Sequence, residues 1–368
     1  MNQKNKFNDL LIFDSHCDTA NVIYDQSSYF IKENNAHLTL EKAKMGGLKA
    51  QIFALYVNPV YAPHQSLKRA LKLYNVLEKR LFSTEQAVKV TSTSEMKYAL
   101  EQNKLACWLS LESGDIIENS IDILEFFYHL GIRCMTLTHT KNTDWADSSG
   151  DAPEHDGLTK LGREIITTMN KIGMIIDISH AADKTVEDVL EITSAPIMAS
   201  HSCSRALCDI PRNLSDDFIK EISERNGYIG VNFFPGFLNK TIYEKMMKNL
   251  ETHKEWFSKI CKKNIGNPDK INEAEMELYS KIVQNLDSVD VSSVIAHITH
   301  IVDIGGINCV GIGSDFDGIP LTPTNLTDVS DYPILIEGLM EKGFNQKDVA
   351  KIMGFNLMHF LKQFDGGK

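Results

Sequence analysis

The stretch Ile12-Phe13-Asp14-Ser15-His16-Cys17-Asp18 is a short apolar run that ends in an imidazole and a carboxylate two positions apart. In a β-strand, residues i and i+2 project from the same face, so His16 and Asp18 are predicted to lie side by side where the strand ends. Imidazole and carboxylate groups suit zinc or a similar divalent ion. Taken alone the triplet is a weak signal, because a surface histidine and a helix-capping aspartate give the same pattern.

Runs of the same kind recur along the chain and predict its fold. Eight short apolar or β-branched runs cover residues 10–16, 48–57, 105–111, 132–139, 174–180, 196–201, 228–233 and 309–315. Runs this short and this continuously apolar are typical of strands buried on both faces, as in a parallel sheet. Amphipathic helices are predicted between them, among them residues 67–81, 121–130, 158–172, 218–225 and 294–304.

Eight strand–helix units in series predict an α/β fold of the (β/α)8 TIM-barrel type. The alternative is a doubly wound sheet, but no Gly-x-Gly-x-x-Gly sequence follows any of the predicted strands. We expect the whole chain, residues 1–368, to form a single barrel domain.

Two segments depart from the repeat. Residues 235–288, after the seventh strand, are rich in Lys, Glu and Asn and show helical periodicity. We interpret them as a helical insertion over the top of the barrel, either a lid or an oligomer contact, with a plain solvated decoration as the alternative. Residues 332–362 predict closing helices at the C-terminal end of the barrel.

Composition limits the function classes. The chain has 368 residues and a net charge of −11, without a block of Lys and Arg, so no nucleic-acid partner is expected. Met1–Leu10 lacks a signal-peptide core, the C terminus lacks a hydrophobic tail, and no apolar run is long enough to span a bilayer. We therefore expect a cytoplasmic protein without a membrane anchor. The seven cysteines show no paired spacing and predict mainly buried apolar residues.

Polar side chains at the strand ends predict a functional site, because the chemistry of a TIM barrel lies at the C-terminal ends of its strands. Six of the eight predicted strands end in a histidine or an acid: His16 with Asp18, Glu112, His139, His180, His201 and Asp315. Each residue alone has an ordinary explanation, such as a satisfied polar group or a helix cap. Together they point to one metal-centred mouth.

The number of these residues suggests two metal ions, because one zinc takes three protein ligands plus water. Glu112 could bridge the two ions. The other ligands then divide into two pairs, His16 with Asp18 and His180 with His201. His139 and Asp315 are left free for oxyanion stabilisation and proton transfer. Paired ions of this kind fit hydrolysis.

The flanking residues form seven motifs, which are DSHCD (14–18), SLE (110–112), MTLTH (135–139) with Asn142 and WAD (145–147), DISH (177–180), SHS (200–202), RNL (212–214) and GIGSDFDG (311–318). In this order and spacing the chain resembles the membrane (renal) dipeptidases, peptidase family M19 of the amidohydrolase superfamily. The resemblance runs from Phe13 to about Leu361.

The resemblance implies a zinc-dependent dipeptidase with two Zn²⁺ per chain, although Mn²⁺ or Co²⁺ could occupy the same ligands. The implied ligands are His16, Asp18, Glu112, His180 and His201. His139 matches the residue that steadies the tetrahedral intermediate, and Arg212 matches the group that grips the substrate's free α-carboxylate. Asp315 matches the acid that carries a proton from the water to the leaving amine. The family also implies small dipeptide substrates, tolerance of a D-residue at the C-terminal position, and a homodimer.

Some positions depart from the family pattern. Cys17 stands where Asn is frequent and should point away from the ligands, and Ser113 stands where Gly is usual. Phe233 and Phe234 stand where some relatives offer a Tyr to the substrate, so carboxylate recognition should rest more on Arg212. Two other functions are open: an amidohydrolase acting on a lactone, cyclic amide or phosphoester, and a non-catalytic descendant, which the undamaged ligand positions disfavour.

Overall fold

The strands form a nearly closed parallel barrel in a computed structural model that describes residues 10–25 and 36–366. The nine strands are β1 (Ile12–Cys17), β2 (Leu48–Tyr56), β3 (Ala87–Lys89), β4 (Leu105–Glu112), β5 (Cys134–Thr136), β6 (Ile175–Asp177), β7 (Met198–Ala199), β8 (Tyr228–Val231) and β9 (Val310–Ile312). Eight of them pair in the order β1-β2-β4-β5-β6-β7-β8-β9. A bridge between Cys17 and Phe316 links the first strand to the segment after the last. The predicted TIM barrel is confirmed.

Each of the eight predicted runs overlaps one barrel strand, and β1 and β4 extend one residue beyond their runs. The short strand β3 was not predicted; it pairs with the start of β4, where Ala87 lies beside Leu105. Its three residues carry too little apolar pattern to be distinguished from a loop in the sequence.

Helices flank the barrel. Most lie between successive strands, and the last three follow the final strand. They are α1 (Thr19–Asp25), α2 (Leu40–Gly46), α3 (Ser66–Arg80), α4 (Thr93–Glu101), α5 (Ile121–His129), α6 (Lys160–Ile172), α7 (Asp183–Ile192), α8 (Asp216–Glu224), α9 (Pro235–Leu238), α10 (Lys240–Lys263), α11 (Pro268–Ile282), α12 (Val291–Gly305), α13 (Tyr332–Lys342), α14 (Gln346–Ala350) and α15 (Asn356–Lys362). Local signals fix many of their ends. The hydroxyl of Ser215 accepts a hydrogen bond from the Phe218 N–H at the start of α8, and Gly173 ends α6 with a φ of 78°.

The barrel interior changes from apolar at its base to polar at its mouth. Phe13, Trp108 and Tyr228 are buried in one interior cluster, which Leu357 and Phe360 of α15 close from below. One layer higher, the hydroxyl of Ser15 contacts carbonyl groups of two other strand segments. The apolar plug thus supports a polar upper layer at the C-terminal strand ends, where a TIM barrel places its site.

The insertion predicted at residues 235–288 folds as α9, α10 and α11 and packs on the barrel rim. The Tyr61 hydroxyl donates to Asp269 at 2.7 Å, and the Asn58 amide donates to Glu275 at 2.5 Å. Ala274 and Leu278 of α11 are buried. The insertion is therefore docked against the loop after β2, which contradicts the alternative of a purely solvated decoration.

The chain ends bear on the expected location but lie largely outside the described residues, which omit 1–9 and 367–368. Within residues 10–25 and 36–366, the helices are all too short or too polar to cross a membrane. The cytoplasmic location and the single-domain organisation stay predictions.

The buried indole of Trp108 tests the importance of the interior cluster. Trp108 is 3% exposed, and we expect Trp108→Ala to lower the free energy of unfolding by about 3–5 kcal/mol through lost burial and a cavity. Urea unfolding followed by circular dichroism measures the change. The matched control is Tyr98→Ala, because Tyr98 is 66% exposed. Equal unfolding midpoints for the two variants would contradict the assignment of Trp108 to the core.

Candidate metal centre

The carboxylate of Glu112, at the end of β4, lies at the centre of the barrel mouth. Its Oε2 atom is 3.2 Å from His16 Nε2, whereas its Oε1 atom is 3.5 Å from His180 Nε2 and 3.6 Å from His201 Nε2. The two oxygens therefore face different groups of imidazoles. This is the arrangement expected of a carboxylate that bridges two cations.

The first of the two groups comes from the end of β1. His16 Nε2 lies 3.6 Å from Asp18 Oδ2, so the two side chains converge as the His-x-Asp spacing predicted. With Glu112 they form a set whose ligand atoms all lie within 4.8 Å of one another. All three are buried, and such a set of nitrogen and oxygen donors suits a divalent ion.

The second group comes from the ends of β6 and β7. The Nε2 atoms of His180 and His201 approach to 2.9 Å. Burial, helped by the positive charge of Arg212, lowers the pKa of both imidazoles well below the usual range. Both rings are therefore neutral and able to offer a lone pair to a cation.

Two residues that we expected to be free of metal also lie within ligand distance. His139 forms a compact set with Glu112 and His180, and Asp315 forms one with His16 and His201. The structure brings all seven predicted strand-end residues to one mouth. Geometry alone does not separate the five expected ligands from His139 and Asp315.

A cation fits this cluster, because the cluster contains buried polar atoms that the protein leaves without partners. Within the described part of the chain, His16 Nε2, Asp18 Oδ1, Glu112 Oε2 and His139 Nδ1 have no hydrogen-bond partner. Burial, reinforced by the charge of Glu112, also raises the pKa of Asp18 to about 7. Unpartnered lone pairs and crowded carboxylates are costly in a low-dielectric interior, and a divalent cation would compensate both.

A buried carboxylate behind the ligands fixes the orientation of one of them. The Ser200 hydroxyl lies 2.5 Å from Asp177 Oδ2 and 2.7 Å from His201 Nδ1. A hydroxyl that donates to Asp177 accepts from the Nδ1–H of His201, and this tautomer leaves the Nε2 lone pair directed at Glu112. Asp177 also accepts from the backbone N–H groups of Ser179 and Ser200, which joins β6 to β7.

Arg212 reaches the same mouth from the loop after β7. Its guanidinium donates to the Ser202 hydroxyl at 2.8 Å and to the His201 carbonyl at 2.7 Å. Its Nε–H is buried and has no partner in the described residues, and its charged end lies 5.2 Å from the centre of the Phe237 ring. The side chain is thus held in place by two of its five N–H donors, which leaves the Nε–H and two others without a partner in the described residues.

Two site residues were missed by the sequence reasoning, and both end the barrel strands that carry no histidine or acid. Tyr56 ends β2, and its ring lies 4.5 Å from the ring of His139. Asn232 follows β8, and its amide donates to Asp315 Oδ2 at 2.9 Å. The strand-end rule could have identified both residues, had it been applied to neutral polar side chains.

Three residues of the mouth adopt backbone conformations that side chains normally avoid. Ser113, His180 and Asp315 have φ values of 106°, 67° and 62°. Such strain persists where surrounding structure enforces it, and it concentrates at functional sites. Glycine adopts the φ of Ser113 without steric cost, which gives a physical reason for the glycine that the resemblance leads us to expect there.

The other expected departures concern packing. Cys17 is fully buried in the hydrophobic core, as expected for a packing residue. Phe233 packs in the core against Phe316 with ring centres 5.6 Å apart. Phe234 contacts the ring of Phe237 at 4.9 Å, so it supports the surroundings of Arg212.

Comparison with known proteins gives the family. Residues 3–366 match the family model described as membrane dipeptidase (peptidase family M19). The match covers almost the whole chain, and the chain therefore belongs to the membrane dipeptidase family, as the motifs predicted.

Individual relatives are distant but cover most of the chain. Dipeptidase 3 of Macaca fascicularis is 27% identical over 366 residues, which is 96% of this chain and 65% of the relative. The chain thus spans less than two thirds of that relative's length. The crystal structure of the probable dipeptidase PvdM from Pseudomonas aeruginosa has 25% identity and a TM-score of 0.85, covering 99% of this chain and 98% of that one.

A metallopeptidase from Rhodobacter sphaeroides, solved with a phosphinate mimic of the dipeptide L-Ala-D-Ala, has the same fold. It is 22% identical, with a TM-score of 0.78, and covers 96% of this chain and 99% of that one.

Proposed function

We propose that the protein is a metal-dependent dipeptidase that holds two divalent ions, zinc in the first instance, at the mouth of its barrel. The observation that carries the proposal is the position of Glu112, with one oxygen facing His16 and the other facing His180 and His201. Membership of the membrane dipeptidase family supports it. His16 and Asp18 would hold one ion, His180 and His201 the other, and Glu112 both.

When bound, the ions supply Lewis acidity that polarises a peptide carbonyl and lowers the pKa of water. The protein's own groups then bind the substrate and move protons. Arg212 pairs with the substrate's C-terminal carboxylate through its free N–H donors. Because this pairing requires a free carboxylate on the residue after the cleaved bond, dipeptides would be preferred over longer peptides.

His139 and Asp315 would complete the reaction. Burial and nearby positive charge lower the pKa of His139 to about 3, so its neutral ring can donate a hydrogen bond to the developing oxyanion. Asp315 accepts a proton from the attacking water and passes it to the leaving amine. The amide of Asn232 holds Asp315 in place.

We further propose that a D-residue is accepted at the C-terminal position of the dipeptide. The support is the L-Ala-D-Ala mimic bound by the Rhodobacter sphaeroides relative. The homodimer implied by the sequence resemblance stays a prediction.

A dipeptide panel with metal analysis tests the function. We expect close to two zinc ions per chain, hydrolysis of L-L and L-D dipeptides, and loss of activity with a chelator that zinc restores. Lactones, cyclic amides and phosphoesters complete the panel. Hydrolysis of one of these without hydrolysis of dipeptides would favour another amidohydrolase activity. Two bound ions without hydrolysis of any compound would instead favour a non-catalytic protein.

The role of Arg212 predicts a loss that depends on the substrate's carboxylate. We expect Arg212→Ala to lower kcat/KM for a free dipeptide by at least about 10- to 100-fold, the value of a charge-assisted hydrogen bond. The same dipeptide with an amidated C terminus should lose much less. Arg80→Ala is the control, since Arg80 is exposed at the end of α3. An equal loss on both substrates would show that Arg212 acts only structurally.

The role of Asp315 predicts that its substitution lowers turnover and leaves the metal content unchanged. We expect Asp315→Asn to lower kcat by about 10²- to 10⁴-fold through loss of proton transfer, with the metal content of the wild type. Asp303→Asn, an exposed change on α12, is the control. Elemental analysis of both variants decides the point. Loss of metal together with activity would make Asp315 a ligand, as its grouping with His16 and His201 allows.

A further inference from the structure

The wall of the mouth beyond β2 carries a polar cluster that the proposed reaction does not use. Glu275 of α11 accepts a hydrogen bond from the Asn58 amide at 2.5 Å and another from the Tyr279 hydroxyl at 3.2 Å. Asn58 is itself buried, and its carbonyl oxygen accepts from the Val60 N–H. The insertion and the loop after β2 thus hold the carboxylate in one position.

Tyr56, two residues before Asn58, connects this cluster to the metal centre. Its ring lies 4.5 Å from the ring of His139, and its hydroxyl is buried without a partner in the described residues. Burial raises the pKa of Tyr56, and the negative charges of Glu275 and Glu112 raise it further. One side chain therefore lies within electrostatic range of both carboxylates.

Among residues 10–25 and 36–366, no cation forms an ion pair with the carboxylate of Glu275. Both of its hydrogen-bond donors are neutral. Burial raises its pKa, and the cation that lowers it is Lys141. The Lys141 ammonium group instead lies 3.4 Å from Asp151 on the exposed loop after β5. A half-buried carboxylate held by neutral donors attracts a cation from the solvent or from a substrate.

The cluster also lies across the mouth from Arg212. In the strand order β1-β2-β4-β5-β6-β7-β8-β9, strands β2 and β7 are four places apart, which is half of the eight-strand circuit. Tyr56 ends β2, and Arg212 follows β7. A substrate that crosses the centre with its carboxylate bound by Arg212 would therefore direct its N-terminal residue to the side of the mouth that carries Glu275.

We propose that Glu275, with Asn58 and Tyr279, forms a subsite for an ammonium group on the N-terminal residue of the substrate. This inference rests on the proposed dipeptidase function. Two sources of the ammonium group share this chemistry, the α-amino group and the side chain of a basic residue such as lysine. The helical insertion then contributes a specificity-determining residue to the mouth.

The test compares Glu275→Gln with wild type in the metal-loaded full chain. The substrates are Ala-Ala, Lys-Ala and propionyl-alanine, which is Ala-Ala without its amino group. A loss of kcat/KM that is about 10-fold or more larger for Ala-Ala than for propionyl-alanine assigns the α-ammonium group. A loss of that size that is larger for Lys-Ala than for Ala-Ala assigns the side chain.

The matched control is a second substitution on the same helix. Glu273→Gln removes an exposed charge from the same helix, and it should not change the ratios between the three substrates. Equal losses on all three substrates in Glu275→Gln, or no loss beyond that of Glu273→Gln, would overturn the subsite.

A binding measurement tests the subsite independently of catalysis. Calorimetry on the metal-loaded protein measures the Kd of a phosphinate mimic of Ala-Ala or Lys-Ala and of the mimic without its α-amino group. Tighter binding of the mimic that carries the ammonium group, lost in Glu275→Gln, supports the subsite. This holds even if the protein hydrolyses no dipeptide, in which case only the proposed function fails. Hydrolysis without such discrimination overturns the subsite alone. If the protein neither hydrolyses the dipeptides nor binds the mimics, both proposals fail.

Discussion

The structure depends on the crowding of lone pairs around Glu112. Four imidazoles lie within 3.7 Å of its two oxygens, and the group is almost fully removed from solvent. Protons satisfy such a cluster only in part. Against the effect of burial, Glu112 raises the pKa of His16 well above its usual value. His180 and His201 nevertheless resist charging, and Asp18 resists losing its proton. Positive charge placed between the ligands removes both conflicts, which is the physical reason for interpreting the mouth as a metal centre.

Two further buried carboxylates join the strand ends behind this unfavourable cluster and so keep its members close together. Asp177 accepts hydrogen bonds from Thr136, Ser179 and Ser200 and so joins the ends of β5, β6 and β7. Asp14 accepts from the N–H groups of His16 and Ser314 and from the Tyr332 hydroxyl, which closes β1 against the segment after β9. The ligands are fixed because the strand ends that carry them are joined from behind.

The predictable part of the molecule is the part set by local pattern. Continuous apolar runs located the barrel strands, and the histidines and acids at the ends of six runs located the candidate ligands, because both depend only on a residue's place along its own strand. Glu275 is one of several acids in a charged helix, and its approach to Asn58 depends on how α11 docks. Tyr56 gave only the weak signal of a hydroxyl group at a strand end, since an aromatic residue is ordinary in a strand.

Because α11 docks on the loop after β2, the mouth is built from two kinds of segment, the strand ends of the barrel and a surface helix. The candidate ligands lie at strand ends, where a change disturbs the barrel itself. Glu275 and Tyr279 belong to a surface helix attached through a few contacts, such as that of Tyr61 with Asp269. Substitutions in that helix can alter the mouth while the metal ligands stay the same. Related barrels could therefore diverge in substrate range through this segment, with the chemistry of the centre preserved.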